Sequence, residues 1–263
     1  LIRFQEARQS MGTIISTRET QYDYFDRLLE GPDWKKSKIL DFGGNVGGFL
    51  VSAGDRVNHD DYWCLDLNEQ VIDIGRKEFP LAHFHHYNRY SSQYNPDGVR
   101  NFPIPDLGLK FDIIMAFSVF THTHQSEMIE LVEQLRDKLT PQGALAFTFT
   151  DPSYDRSLSA PDLPSGTDVR KMLGWRKAEN PSLEIEEMVE TARQSRWCIL
   201  IDEKLYVEPG SELSHQQHQG KPWESYCSYY KVDYMQSIFP NAKVMPPVSP
   251  EWQHCCILTA DFD

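Results

Sequence analysis

The sequence predicts an α/β fold: a mostly parallel sheet with helices on both faces. Three observations carry that expectation. Strand and helix patterns alternate from about Lys38 to Thr150, the order expected of βαβ units. The run "FDIIMAF", Phe111 to Phe117, is apolar almost without interruption, as suits a strand covered on both faces. The stretch "ILDFGGNVGGFL", Ile39 to Leu50, reads as a strand that breaks into glycines and turns into a helix. With 263 residues, 40% of them hydrophobic, the chain can bury a sizeable core.

The elements follow in order. Tyr22, Phe25 and Leu29 share one face of an amphipathic helix ahead of the sheet. The first strand runs from Lys38 to Phe42. A second runs from Asp61 to Leu65 and ends at Asp66, after which Asn68 can cap a helix. Ala82 to Tyr87 is a third strand and Phe111 to Phe117 a fourth. Met128, Leu131, Val132, Leu135 and Leu139 then share a helical face, and Pro141-Gln142-Gly143 stops that helix before a fifth strand, Ala144 to Thr150.

The alternation breaks after Asp151. From Pro152 to Pro222 the chain carries six prolines, one helix pattern (Leu183, Ile185, Met188, Val189, Ala192) and one strand pattern (Trp197 to Val207). This reads as an insertion or lid, the expected acceptor side of a site; the alternative is a dimerisation element, which would make the chain a homodimer. Tyr226 to Tyr230 and His254 to Thr259 are strand-like, with "KVDYMQSIF" helix-like between them. The expected division is a helical segment 1–36, a core 37–151, an insertion 152–225, and last strands 226–263 completing the core sheet.

Composition excludes several classes of function. There are 26 basic and 39 acidic residues, a formal charge of −13, and the nearest basic run is only Lys35-Lys36-Ser37-Lys38. Phosphate backbones repel such a surface, so nucleic acid is not the expected partner. The five cysteines include no C-x-x-C pair, which argues against a disulfide framework or a cysteine zinc site and for a reducing, cytoplasmic setting. No apolar stretch reaches the roughly 20 residues that span a bilayer, and Leu1 to Gln5 is not a signal peptide. It also lacks an initiator Met, so residues upstream are expected.

The glycine turn narrows the ligand. A dinucleotide site wants G-x-G-x-x-G, but counted from Gly43 the second glycine falls on Asn45. Asp41 would also set a carboxylate near a pyrophosphate. A cationic or zwitterionic ligand reverses that objection. Short glycine turns beside an acid also occur with no cofactor at all. Asp66 stands 19 positions after Gly47 at the end of the second strand. A carboxylate there can hold two ribose hydroxyls, or serve only as a helix cap.

Asp41-Phe42-Gly43-Gly44-Asn45-Val46-Gly47 resembles the first motif of class I S-adenosylmethionine-dependent methyltransferases, D/E-x-G-x-G-x-G, with Asn at the middle glycine. Asn tolerates left-handed backbone angles and can add an amide contact. "YWCLDLNEQVIDIGRKEFP" resembles the second motif, and "LTPQGALAFTF" the family's helix end, glycine turn and fifth strand. The resemblance covers Ser37 to Asp151, with a weaker echo in the last 40 residues. It implies a Rossmann-like, mostly parallel seven-stranded sheet, a lid insertion after the fifth strand, and S-adenosyl-L-methionine as cofactor. It further implies that Asp41 meets the cofactor's ammonium, directly or through water, and that Gly43, Gly44, Asn45 and Gly47 form the turn around it. Asp66 would take the ribose and Leu67 pack on the adenine. Asn88 would meet the adenine amino group, with Arg89 and Tyr90 as neighbouring alternatives. Ala116, Phe117 and Ser118 would offer backbone contacts, and His122 would face the methyl group.

Imidazole titrates near neutral pH, so His122 is the candidate general base, with His124 as a longer reach; either could instead pack in a loop or cap the next helix. The D/N-P-P-Y pattern of relatives that methylate base or amide nitrogens is absent; Ser118-Val119-Phe120-Thr121 stands there. The expected acceptor is a small molecule with an O or N nucleophile. The alternatives are a non-catalytic cofactor-binding scaffold and an NAD-type oxidoreductase. His83, His85, His86, His215 and His218 match no metal-ligand spacing, so no metal is expected. Trp223, Tyr226, Tyr229, Tyr230 and Tyr234 could wall an acceptor pocket or an ammonium cage, though half or more should fill core.

Overall fold

The computed structural model describes residues 21–211, 213 and 226–260. His215, His218, Trp223 and residues 1–20 of the expected N-terminal segment lie outside the described residues. A seven-stranded sheet runs through the molecule in the order β3-β2-β1-β4-β5-β10-β9. Its parallel half comprises β1 (Ile39–Phe42), β2 (Tyr62–Asp66), β3 (His83–His86), β4 (Phe111–Ala116) and β5 (Leu139–Phe149). β10 (His254–Thr259) pairs antiparallel with β5, and β9 (Lys243–Met245) antiparallel with β10.

Strand alternation divides the core. Leu40, Phe42, Leu65, Ile114 and Phe147 face the helix α4 (Gln125–Arg136), which buries Met128, Leu131, Val132 and Leu135 against them. Ile39, Cys64, Ile113 and Ala146 face the other way, against Phe25 and Leu28 of α1 (Gln21–Leu28), Phe49 and Leu50 of α2 (Gly48–Ala53), and Ile72 of α3 (Glu69–Glu78). Both faces of the central strands are dry, which explains the unbroken apolar run of β4. Leu139 belongs to β5, not to the helix its spacing suggested. α4 ends at Arg136, and residues 140–143 form an irregularity in β5 where the register against β4 shifts between Phe111 and Ile113.

The segment after β5 makes its own layer. The expected single strand Trp197 to Val207 is a hairpin, β6 (Trp197–Ile201) and β7 (Lys204–Val207), turning at Asp202, whose φ is 50°. Tyr226–Tyr230, strand β8, does not complete the main sheet as expected. It pairs antiparallel with β6, in a three-stranded sheet ordered β7-β6-β8. One face of that sheet (Cys198, Leu200, Tyr229) packs on Val169 and Leu173 of α5 (Asp168–Glu179) and on Val189 and Ala192 of α6 (Ile185–Gln194). The other (Trp197, Ile199, Ile201, Tyr226, Tyr230) joins the main core. α7 (Val232–Ile238) leads back to β9. No helix among the described residues is long and apolar enough to cross a membrane.

Candidate active site

A cavity of about 510 Å³ opens at the carboxyl ends of β1, β2 and β4, within the range of small-ligand sites. Its floor is the glycine turn. Gly43, Asn45 and Gly47 have φ of 76°, 55° and 87°. A Cβ on Gly43 would lie 2.4 Å from Val119 Cγ2, and one on Gly44 2.6 Å from Asp41 Cγ. Asn45 takes the left-handed angle expected of it and holds it by its own side chain, whose Oδ1 accepts from Val46 N–H at 2.8 Å. Gly43 and Asn45 line the cavity. Gly44 and Gly47 do not. They are needed for packing instead, Gly44 against Asp41 and Gly47 against Phe84 and Phe79.

Asp66 sits at the cavity edge, half-buried, and clamps two loops. Its Oδ2 accepts from Asn45 N–H and its Oδ1 from Asn68 N–H, both at 2.9 Å. Helix capping falls to Asn68, which accepts from Gln70 N–H at 3.0 Å. Leu67, Phe117 and Ser118 also line the cavity. Ser118 stands at φ 58° just past β4, an unusual angle for serine. Its N–H donates to Thr148 Oγ1 at 2.7 Å, and its Oγ accepts from Gln253 Nε2 at 3.1 Å.

Two expected residues are elsewhere. Asp41 shares the Ile39 face of β1, so its carboxylate lies under the turn and accepts from Tyr62 O–H at 2.6 Å; it does not line the cavity. Asn88 is exposed, and its Oδ1 accepts from Asn95 Nδ2 at 3.0 Å. The neighbours named as alternatives, Arg89 and Tyr90, line the cavity together with Tyr87. Arg89 is buried, with Nε on Glu127 at 2.9 Å and a two-pronged contact to Glu130 at 3.1 and 2.9 Å. Burial raises the Glu127 carboxyl, against the lowering effect of Arg89.

His122 lines the same cavity as the glycine turn. Its Nδ1 is 2.8 Å from the carbonyl of Tyr226, and a carbonyl only accepts, so Nδ1 carries the proton. Nε2 therefore presents a lone pair, which accepts from Tyr94 O–H at 3.3 Å. Burial lowers the imidazole below its ordinary value, with the Tyr226 contact opposing, and the ring is neutral at pH 7. His124 is the cap of α4: its Nδ1 accepts from Ser126 N–H at 3.1 Å, and its Nε2–H donates to Pro209 O at 3.2 Å. Tyr94 and Tyr226, both on the cavity wall, carried no signal in the sequence that tied them to His122; they stand 28 and 104 residues from it. Tyr229 and Tyr230 fill core, and no ammonium cage forms from them. No cluster of metal-ligating side chains is present among the described residues.

Residues 40–145 match the family model described as a methyltransferase domain. That segment, under half of the chain, is a methyltransferase domain of the class I S-adenosylmethionine-dependent type. Its cofactor is S-adenosylmethionine. The fold is shared with the CcbJ methyltransferase from Streptomyces caelestis, at 12% identity over 94% of this chain and 96% of that one, with a TM-score of 0.51. It is also similar to an amino pentose methyltransferase from Micromonospora echinaspora involved in calicheamicin biosynthesis, at 13% identity, 98% and 96% coverage, and a TM-score of 0.50. No curated protein matches the chain in sequence. The methyltransferase cofactor fits the site on this chain's own geometry. Glycines hold the turn where a Cβ would collide, and a half-buried carboxylate stands at the end of β2 on the cavity edge.

Proposed function

We propose that this methyltransferase acts on an O or N nucleophile of a small-molecule acceptor, with His122 as general base. One observation carries the reading. A single cavity runs from the Gly43–Asn45 turn and Asp66 to the Nε2 lone pair of His122. Asp66 would hold the ribose hydroxyls, Leu67 and Tyr90 the adenine, and the backbone around Phe117 and Ser118 the rest of the cofactor. Asp41 acts indirectly, by supporting the turn from below. When bound, the cofactor supplies an electrophilic methyl on sulfonium. The protein's part is to align the acceptor, exclude water and take a proton.

His122 is suited to that last task. Its tautomer is fixed by Tyr226, its neutral form is favoured by burial, and the Tyr94 hydroxyl that holds Nε2 is on a side chain 47% exposed, so an acceptor hydroxyl or amine can displace it. The amino pentose enzyme of similar fold offers a precedent for a metabolic acceptor. Five free cysteines suit a cytoplasmic setting. The test is S-adenosylhomocysteine formation, by mass spectrometry, across a panel of small hydroxyl and amine compounds. Turnover with none of them by a protein that binds S-adenosylhomocysteine would favour a scaffold role. Tight NAD binding in place of S-adenosylhomocysteine would favour an oxidoreductase.

A further inference from the structure

Arg156 is 5% exposed, and its Nε–H has no hydrogen-bond acceptor among the described residues. It also forms no ion pair among them. A guanidinium in that position is costly unless something negative meets it. The carboxylate next to it is already committed. Asp155 accepts from Ser157 N–H, Ser157 O–H, Gly166 N–H and Ser165 O–H, which pins the loop and leaves nothing for Arg156.

A second cation approaches the same place. Lys171 Nζ lies 5.3 Å from the ring centre of Trp252 and 4.7 Å from that of Trp175, while the Arg156 guanidinium lies 5.7 Å from Trp252. Two like charges thus share one indole. Lys171 is half-buried, and its ammonium is lowered first by burial, with Asp168 opposing and Arg156 adding to the effect. Asp168 itself accepts from Tyr229 O–H at 3.1 Å. Ser159, one turn beyond Arg156, has a buried hydroxyl that is also without a partner among the described residues.

The place of this cluster matters. Trp252 precedes Gln253, whose amide donates to Ser118 on the cavity wall, and β10 begins at His254 opposite Phe149 at the end of β5. Gln253 thus links the Trp252 segment to Ser118, although none of Arg156, Lys171 and Trp252 lines the cavity itself. Trp175, 60% exposed, leaves the far side open to solvent. A protein of net charge −13 repels anions in general, so a local cationic pair there selects them. Guanidinium geometry matches carboxylate and phosphate oxygens.

We propose that Arg156, Lys171 and Trp252 form a subsite for a carboxylate or phosphate group of the methyl acceptor. The inference rests on the small-molecule reading above. It is tested on the full chain labelled with fluorotryptophan, with the Trp252 resonance assigned through Trp252→Phe. Benzoate and inorganic phosphate are titrated with S-adenosylhomocysteine present, and benzamide serves as the neutral control. The expected result is a saturable shift of the Trp252 signal with one anion or both, which distinguishes carboxylate from phosphate. Benzamide should give none, and Lys171→Met should weaken the response by about tenfold or more, the scale of one charge-assisted hydrogen bond. Lys171 is half-exposed, so that variant decides the matter if Arg156→Gln fails to fold. No saturable shift with either anion, an equal shift with benzamide, or an unchanged response in Lys171→Met would overturn the subsite. Turnover is scored separately. Acceptors bearing a carboxylate or phosphate should be consumed ahead of their amides and neutral esters. Turnover confined to neutral small molecules would refute the subsite while the small-molecule reading stands; turnover of no small molecule would refute that reading itself.

Discussion

His122→Asn isolates the proposed base. The amide nitrogen of Asn sits as far from Cβ as Nδ1 does, so it can still donate to the Tyr226 carbonyl that His122 reaches at 2.8 Å. What disappears is the lone pair at Nε2. His122→Ala would mix two effects, because the carbonyl would lose its donor at a cost of about 1–3 kcal/mol in stability. Loss of general-base catalysis typically lowers turnover about 10²–10⁴-fold, or about 3–5 kcal/mol on the barrier. Binding of S-adenosylhomocysteine should be unchanged, since the proposed cofactor contacts come from the turn, Asp66, Leu67 and Tyr90, and none from His122. The assay is single-turnover methyl transfer from pH 5 to 9. The neutral ring is the active form, and burial lowers its pKa, so the wild-type rate should be flat above the ordinary imidazole value and fall only at more acid pH. Tyr94→Phe removes a donor that favours the neutral form and should move that acid limb upward. Wild-type turnover by His122→Asn across the whole range would reduce His122 to a packing residue.

Three further outcomes are expected. Asp66→Asn should weaken S-adenosylhomocysteine binding by about 1.5–3 kcal/mol, the scale for hydrogen bonds to a charged group, and unchanged calorimetric affinity in a folded variant would remove the ribose assignment. Asp41→Asn should lower the melting temperature through the Tyr62 contact and leave cofactor affinity near wild type; a large affinity loss in a folded variant would return Asp41 to the ligand. Stability should fall as pH drops from 7.5 towards 5. Burial lowers His122, His254 and His85, so the unfolded chain takes up their protons first, near the ordinary value, and acid favours unfolding. His254→Gln should flatten the slope, and a melting temperature that rises towards pH 5 would contradict the sign.

The parts of the site legible in the sequence are those set by local backbone chemistry. Left-handed angles at Gly43, Asn45 and Gly47 demand those residue types, and Asp66 follows from the strand end that carries it. Asp41 does not line the cavity, and the period of two in β1 holds the reason: Ile39 and Asp41 face α2, while Leu40 and Phe42 face the cavity side. Asn88 stands off the cavity because register after β3 is not set by the local sequence. After β3 the chain turns tightly, with Arg89 N–H on the carbonyl of Tyr87, and no residue type announces that turn. Tyr226–Tyr230 has the alternation of a strand whichever sheet receives it, so its pairing with β6 was invisible. The Arg89 ion pairs with Glu127 and Glu130 join residues about 40 positions apart and leave no local pattern.

The pairing of β8 bears on how the insertion works. Four hydrogen bonds tie this strand and the residues just after it to the ligand side of the main sheet. His122 Nδ1–H reaches Tyr226 O, and Ser228 O–H reaches Thr123 O at 2.5 Å. Tyr230 N–H reaches Thr150 O at 3.0 Å, and Val232 N–H reaches Asp151 Oδ2 at 3.1 Å. A lid that swung away with β8 would have to break these bonds, and the first of them fixes the tautomer of the proposed base. β6, buried on both faces, locks β8 from the other side. If the insertion moves on acceptor binding, the motion among the described residues is therefore confined to parts that lack such ties, such as the exposed β7 edge. The three-stranded sheet then serves as a fixed wall that holds His122 neutral and aimed, while the Arg156–Lys171 pair beside it sorts acceptors by charge.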